Sequence, residues 1–107
     1  MLPKQKRISR PLFKEILLSK RYSNSPHFSL RVAQAASARA AVSVSKKISK
    51  KSVIRNRVRR RAYAAIQTII GEMNPGLYLF VAKPGVEKIK GEELNKEILT
   101  LIRSIKA

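Results

Sequence analysis

The stretch that decides the fold is residues 41–61, AVSVSKKISKKSVIRNRVRRR, in which a short apolar pattern gives way to a strongly basic one. Its first five residues, 41–45, are small or β-branched and predict a strand. A helix is predicted to begin near Ser49 or Ser52, either of which can cap it, and to end at Gly71. At about 100° per residue, this helix would bury one narrow apolar stripe. The stripe is formed by Ile54, Val58, Ala62, Ala65 and Ile69.

Apolar segments on both sides of this stretch supply the other predicted elements. Residues 77–83 are nearly all apolar and predict a central strand, and residues 92–105 predict a last helix. Upstream, alternating apolar side chains at residues 28–32 predict a half-buried strand, after a helix predicted over residues 11–21. The Ala-rich residues 35–40 are interpreted as a connection.

The predicted class is α+β, a small sandwich in the order α-β-β-α-β-α. A strand, a long helix and another strand ordinarily form a parallel unit with a right-handed crossover. With 107 residues the chain is expected to form one domain, residues 1–107, in which the basic residues 1–8 are a flexible tail.

Charge is the dominant feature of the composition. The formal net charge is +18, and residues 1–61 contain 18 Lys and Arg against one Glu. A surface that serves only solubility mixes both signs, whereas this excess favours a polyanionic partner. Nucleic acid is the commonest partner of that kind.

The cations are densest in and before the second predicted helix. Like charges recur there at i and i+4, and cations at a helix N-terminus oppose its dipole. Bound phosphates would relieve both costs. Relative to the apolar stripe, Arg55 and Arg59 are predicted on one flank, with Asn56 roughly opposite the core. The candidate nucleic-acid-binding residues are Lys46, Lys47, Lys50, Lys51, Arg55, Asn56, Arg57, Arg59, Arg60 and Arg61.

Several chemistries lack the side chains they need. The chain contains no Cys, no Asp and one His (His27), which disfavours thiolate metal sites and catalysis by the protein alone. The apolar residues 12–18 are interrupted by charges, so neither a signal peptide nor a membrane span is predicted. A cytoplasmic protein without a membrane partner or a small-molecule substrate is expected.

Other interpretations of the basic region stay open at this point. It is compatible with a structural RNA-binding protein of the ribosomal type, or with a DNA-compacting protein that binds duplex DNA. A merely solvated face would interleave acids with its bases. A membrane-surface helix would carry a broad face of bulky apolar side chains. The apolar stripe of this helix is narrow and includes the small side chains of Ala62 and Ala65, which disfavours that interpretation.

Residues 43–61 resemble the signature of the bacterial ribonuclease P protein component. The core of the likeness is Arg55-Asn56-Arg57, preceded by Ser45-Lys46-Lys47 and followed by further basic residues. The resemblance extends over essentially the whole domain and implies a left-handed crossover through the basic helix. It also implies that the chain is a subunit of an endoribonuclease that removes the 5′ leader of precursor tRNA to form the mature 5′ end.

In that family an RNA subunit with Mg²⁺ ions carries catalysis, and the protein binds that RNA as one monomer per complex. The resemblance further implies a cleft for the single-stranded leader, lined here by Phe13, Leu17, Phe28 and Arg31. Leu17 and Arg31 stand where the family often has aromatic side chains. Aromatic rings and guanidinium groups both stack on unpaired bases.

Overall fold

The computed structural model describes residue 16, residues 21–89 and residues 91–104. Within these ranges four strands form one sheet and two long helices pack beside it. The strands are β1 (Arg21–Asn24), β2 (Phe28–Ala33), β3 (Ala38–Ser43) and β4 (Gly76–Ala82). The long helices are α1 (Ser52–Ile69) and α2 (Gly91–Ser104), and short 3-10 helices follow α1 at Ile70–Glu72 and β4 at Val86–Lys88.

The strands lie in the order β1-β2-β4-β3. β2 is antiparallel to both of its neighbours, whereas β3 is parallel to β4 and is joined to it through α1. β4 lies between two strands and its sequence, GLYLFVA, is buried except at Val81. The predicted α+β class and the central position of the apolar strand are therefore confirmed.

The larger hydrophobic core lies between one face of the sheet and the two helices. Phe28, Leu30 and Val32 point into it from alternate positions of β2, as the alternating pattern predicted. The helices contribute apolar stripes at intervals of three and four residues, because those spacings place side chains on one helical face. These stripes are Val58, Ala62, Ala65 and Ile66 from α1 and Leu94, Ile98 and Leu101 from α2.

A smaller cluster covers part of the opposite face of the sheet. Ile16, which has helical backbone and is fully buried, packs there with Ala41, Leu77 and Leu79. The remainder of the helix predicted over residues 11–21 lies outside the described residues, except for Arg21. Arg21 begins β1, so the predicted helix cannot extend to that residue.

Some predicted boundaries were wrong for identifiable reasons. β1 was not predicted at all, because its four residues are largely exposed and carry no apolar alternation. β3 begins at Ala38 rather than Ala41, since pairing with β4 places Ala38 opposite Gly76 and draws part of the Ala-rich connection into the sheet.

The ends of α1 also differ from the prediction. Neither serine caps the helix: Lys51 occupies the N-cap position without a side-chain hydrogen bond, and the Oγ of Ser49 instead accepts a bond from the Lys51 backbone N–H at 3.2 Å. At the other end α1 stops at Ile69, and a 3-10 turn carries the chain through Gly71.

Two tertiary hydrogen-bonding arrangements hold the sheet to the helices. The Glu97 carboxylate accepts bonds from Ser25 Oγ at 2.6 Å and from the His27 backbone N–H at 2.8 Å, and lies 2.9 Å from His27 Nδ1. The turn between β1 and β2 is thereby attached to α2. On the outer side of β3, the Val42 backbone N–H donates to the Tyr63 hydroxyl at 3.1 Å, a buried contact between β3 and α1.

Candidate nucleic-acid interface

The loop between β3 and α1, residues 44–51, presents lysines on an anchored backbone, and we call it the lysine loop. Val44 and Ile48 are buried, and the Ile48 N–H donates to the Ser45 carbonyl at 3.1 Å. The two apolar anchors hold the loop on the core while the side chains between and after them face solvent. The exposed lysines are Lys46, Lys47, Lys50 and Lys51.

The exposed face of α1 continues this charge. Arg57, Arg60 and Arg61 are exposed, as is Asn56, which confirms that the helix turns these side chains away from the core. The buried face is wider than the predicted stripe because it includes Tyr63 and Ile66. We call the four exposed loop lysines together with Arg57, Arg60 and Arg61 the basic surface.

Arg55 differs from its neighbours because it is bonded to the protein itself. Its Nη1 donates to the carbonyl of Ser49 at 2.9 Å and to the carbonyl of Lys50 at 3.1 Å, and the side chain is only partly exposed. The helix thus places this guanidinium back against the loop that precedes it. Arg55 holds the carbonyl side of the lysine loop against the first turns of α1.

Asn56 and Arg59 form a pair on the helix surface. Arg59 Nη1 donates to Asn56 Oδ1 at 2.9 Å, three residues apart and therefore on adjacent turns. The bond uses the oxygen of the carboxamide and leaves its Nδ2 donors without a partner among the described residues. Asn56 is consequently oriented as a hydrogen-bond donor within a cationic surrounding.

A cavity of about 430 Å³ opens along this face of α1. We call it the α1 pocket; among the described residues it is lined by Val53, Asn56, Arg59, Arg60 and Tyr63. Val53 is 65% exposed, one of the few large apolar side chains that the described surface leaves in water. Neither Val53 nor Tyr63 was predicted to belong to a site, because an apolar residue in a helix is normally assigned to the core.

The second face of the sheet carries a different exposed surface. Tyr22 pairs with Arg31 across β1 and β2, so the two side chains lie side by side on this face. Tyr22 is 64% exposed and Arg31 is partly exposed. Val81, exposed on β4, belongs to the neighbouring row of the same face. We call Tyr22, Arg31 and Val81 the open sheet face.

Of the predicted cleft residues, the two that the structure describes, Phe28 and Arg31, lie on opposite faces of the sheet. Phe28 is fully buried in the larger core, on the sheet face opposite to that of Arg31, so its ring is not available to a ligand. Its assignment to a cleft was wrong because alternate residues of one strand face opposite sides of the sheet. Arg31 lies on the open sheet face, and Phe13 and Leu17 lie outside the described residues.

Among the described residues, one ionisable group has a clearly shifted pKa. Burial raises the pKa of Tyr78 above its usual 10.0, and the nearby positive charge of Arg21 opposes this rise. The Tyr78 hydroxyl donates to the Asn74 carbonyl at 2.8 Å, within the turn that leads into β4. Tyr78 therefore belongs to the packing of the turn and not to the basic surface.

The part of the chain that the structure describes has neither a cluster of metal ligands nor a helix that could span a membrane. No three of its His, Asp or Glu side chains lie close enough together to hold a metal ion. Neither of its two long helices has the length and apolar content needed to cross a membrane.

Comparison with known proteins agrees with this architecture. The ribonuclease P protein component of Nostoc sp. is 32% identical over 114 residues, covering 83% of this chain and 81% of that protein. The ribonuclease P protein of Staphylococcus aureus superposes with a TM-score of 0.85 at 16% identity, covering 94% of this chain and 95% of that chain. The corresponding Thermotoga maritima protein superposes with a TM-score of 0.80 at 14% identity, covering 94% and 98%.

The structural likenesses establish a shared fold, and the sequence comparison goes further. The sequence profile of the ribonuclease P protein family matches residues 2–106, nearly the whole chain, and includes the basic loop, α1 and the sheet. The resemblance found at residues 43–61 is therefore part of a match over the whole domain, and the chain belongs to the ribonuclease P family.

Proposed function

We propose that this chain is the protein subunit of ribonuclease P. In this role it binds the catalytic RNA and the 5′ leader of precursor tRNA, and so assists the endonucleolytic hydrolysis that removes the leader. The observation that carries the proposal is the continuous basic surface of the lysine loop and α1, in a chain that belongs to this family.

The basic surface is suited to the backbone of a folded RNA. Its seven exposed cations stand on a helix and on an anchored loop, so the backbone that carries them is already in place when RNA binds, and only their side chains have to be ordered. Arginine adds planar donors that match phosphate oxygens in pairs. If all seven contact phosphates, the logarithm of the binding constant falls with the logarithm of salt concentration with a slope of about −5 to −6.

The open sheet face is our candidate for the leader. Tyr22 offers a ring on which an unpaired base can stack, and each such stack contributes about 1–3 kcal/mol in single-strand binding proteins. Arg31 beside it supplies a cation for the phosphate or a second stacking plane. We therefore propose Tyr22 instead of Phe28 as the aromatic residue that contacts the leader, and we retain Arg31 as a leader contact.

The proposed contribution of the protein to the reaction is electrostatic and positional. The catalytic groups are expected in the RNA subunit, which binds the Mg²⁺ ions that activate water and stabilise the leaving oxygen. By neutralising phosphates the protein lowers the Mg²⁺ concentration that the RNA needs in order to fold and react. We expect one protein monomer per RNA, in the cytoplasm.

The test is cleavage of precursor tRNA by a bacterial ribonuclease P RNA at low Mg²⁺ concentration, with and without the full-length protein. Two substrates are compared, one with a natural leader and one with a leader of a single nucleotide. The protein is expected to restore cleavage of both, and to help the long-leader substrate more. An RNA that stays inactive while the protein binds it tightly would refute the proposal and favour a structural RNA-binding role.

Matched variants separate the two surfaces. Tyr22→Ser removes the ring from the open sheet face and is expected to abolish the advantage of the long leader, whereas Tyr22→Phe retains it. Arg57→Gln on the basic surface is expected to weaken binding of the RNA subunit without changing the preference for leader length. If Tyr22→Ser leaves the leader preference unchanged, the leader does not bind at the open sheet face.

A further inference from the structure

We propose that the α1 pocket binds one unpaired nucleobase of the RNA that contacts the basic surface. The inference rests on the proposed function, since it assumes that RNA lies along α1. It adds a contact that recognises the absence of base pairing, which the seven exposed cations do not provide because phosphates are alike in paired and unpaired RNA.

The apolar part of the pocket is the first argument. Val53 lies in the first turn of α1 and is 65% exposed, although the positions around it on this face are Asn56, Arg57 and Arg60. A single exposed valine needs no explanation by itself. Here it lines a cavity together with Tyr63, which is held in place by the bond from the Val42 N–H to its hydroxyl. The pocket thus has an apolar wall that a phosphate backbone alone would leave unused.

The polar part of the pocket is the second argument. Asn56 is oriented by the bond that its Oδ1 accepts from Arg59, so its Nδ2 donors are available for the edge of a base. Arg59 and Arg60 border the same cavity and can neutralise the phosphate attached to that base. Donors for a base edge, an apolar wall and cations for a phosphate are the three contacts that an unpaired nucleotide requires.

Size and charge favour a nucleotide over other occupants. The volume of about 430 Å³ lies within the range of pockets that enclose small ligands and is too small for a helix of paired bases. Every charged side chain that lines the pocket among the described residues is an arginine. An anionic ligand with a flat, partly apolar face satisfies both conditions.

The test uses fluorescence anisotropy with the full-length protein and three hairpin RNAs of the same stem. One carries a single bulged nucleotide, the second carries an abasic residue at the bulge, and the third is fully paired. The bulged and abasic RNAs have the same phosphates and differ only in the base. We expect the base to increase affinity by about three- to tenfold over the abasic RNA, from burial against Val53 and Tyr63.

Two variants assign the effect to the pocket. Val53→Thr keeps the shape and β-branching of the side chain but replaces a methyl group with a hydroxyl, and is expected to reduce the ratio of bulged to abasic affinity towards one. Arg57→Gln, which removes a cation outside the pocket, is expected to weaken all three RNAs by the same factor. Thermal unfolding of Val53→Thr should match that of the unaltered protein, because Val53 is exposed.

The alternative outcomes are distinct. Equal, salt-dependent binding of bulged and abasic RNAs would overturn the base pocket and leave the basic surface intact. A bulge preference as large in Val53→Thr as in the unaltered protein would also overturn it, because the base would then not contact Val53. Failure to bind any of the three RNAs would overturn the proposed function together with the pocket.

Discussion

Replacing Arg55 with Gln is expected to separate two roles that the Arg55-Asn56-Arg57 motif combines. Arg57 is exposed and bonded to no described residue, whereas Nη1 of Arg55 donates to the carbonyls of Ser49 and Lys50 at 2.9 and 3.1 Å. We therefore expect Arg55 to position the lysine loop and Arg57 to contact phosphate. Arg57→Gln is the matched control, since it removes the same charge from the same helix.

The magnitude follows from the bonds that each variant loses. Removing one cation from the N-terminal half of α1 relieves repulsion and an unfavourable dipole contact by about 0.3–0.5 kcal/mol, in both variants alike. Arg55→Gln also loses two charge-assisted hydrogen bonds that are partly exposed to water, at a cost of about 1–2 kcal/mol. The difference in unfolding free energy between the two variants should therefore be about 1–2 kcal/mol, with Arg55→Gln the less stable.

RNA binding supplies the second measurement. The salt dependence of binding to ribonuclease P RNA counts the phosphates that the protein neutralises, at about 0.7–0.9 in slope for each contact. Arg57→Gln should reduce the slope by about this amount, while Arg55→Gln should lower affinity and leave the slope nearly unchanged. If Arg55→Gln reduces the slope as much as Arg57→Gln does, Arg55 leaves the loop to bind phosphate, and its positioning role is refuted.

Three further predictions concern stability, measured by chemical denaturation. Tyr63→Phe leaves the buried Val42 N–H without its acceptor and should cost about 1–3 kcal/mol; an unchanged stability would mean that water replaces the hydroxyl. Glu97→Ala removes the carboxylate oxygen that accepts bonds from Ser25 Oγ and from the His27 backbone N–H, and should cost about 1–2 kcal/mol, while exposed Glu93→Ala should cost little. Because the pKa of Tyr78 is raised, the folded state holds the hydroxyl proton of Tyr78 more tightly than the unfolded state does. The resulting stabilisation is complete below pH 10.0 and is lost as the pH rises above that value. Tyr78→Phe should therefore remove this loss of stability at alkaline pH.

The elements that could be predicted from the sequence are those with long and pronounced hydrophobic or charge patterns. The 18-residue helix α1 and the apolar strand β4 were predicted within a few residues, because α1 has a sustained helical period of apolar side chains and β4 is a continuous apolar run. The cations of the lysine loop and of α1 were likewise predicted to lie on the surface, because Lys and Arg side chains without acidic partners are almost never buried.

What the sequence could not reveal depends on partners distant along the chain. β1 is a strand because it pairs with β2, not because of its own four residues, and Tyr22 was overlooked with it. Phe28 was assigned to the cleft by the family resemblance, although the alternating pattern of residues 28–32 already grouped it with the buried Leu30 and Val32. The bond from Arg55 to the loop depends on a backbone turn that periodicity does not describe.

The bond between the Val42 N–H and the Tyr63 hydroxyl also affects how one copy of the chain can contact another. Among the described residues β3 is at one end of the sheet, where free backbone groups invite another chain to add a strand. A helix side chain already uses the N–H of Val42, the penultimate residue of that strand, so a second molecule cannot complete a regular ladder there. The same contact that orders the α1 pocket thus blocks one of the positions at which another chain could pair with β3.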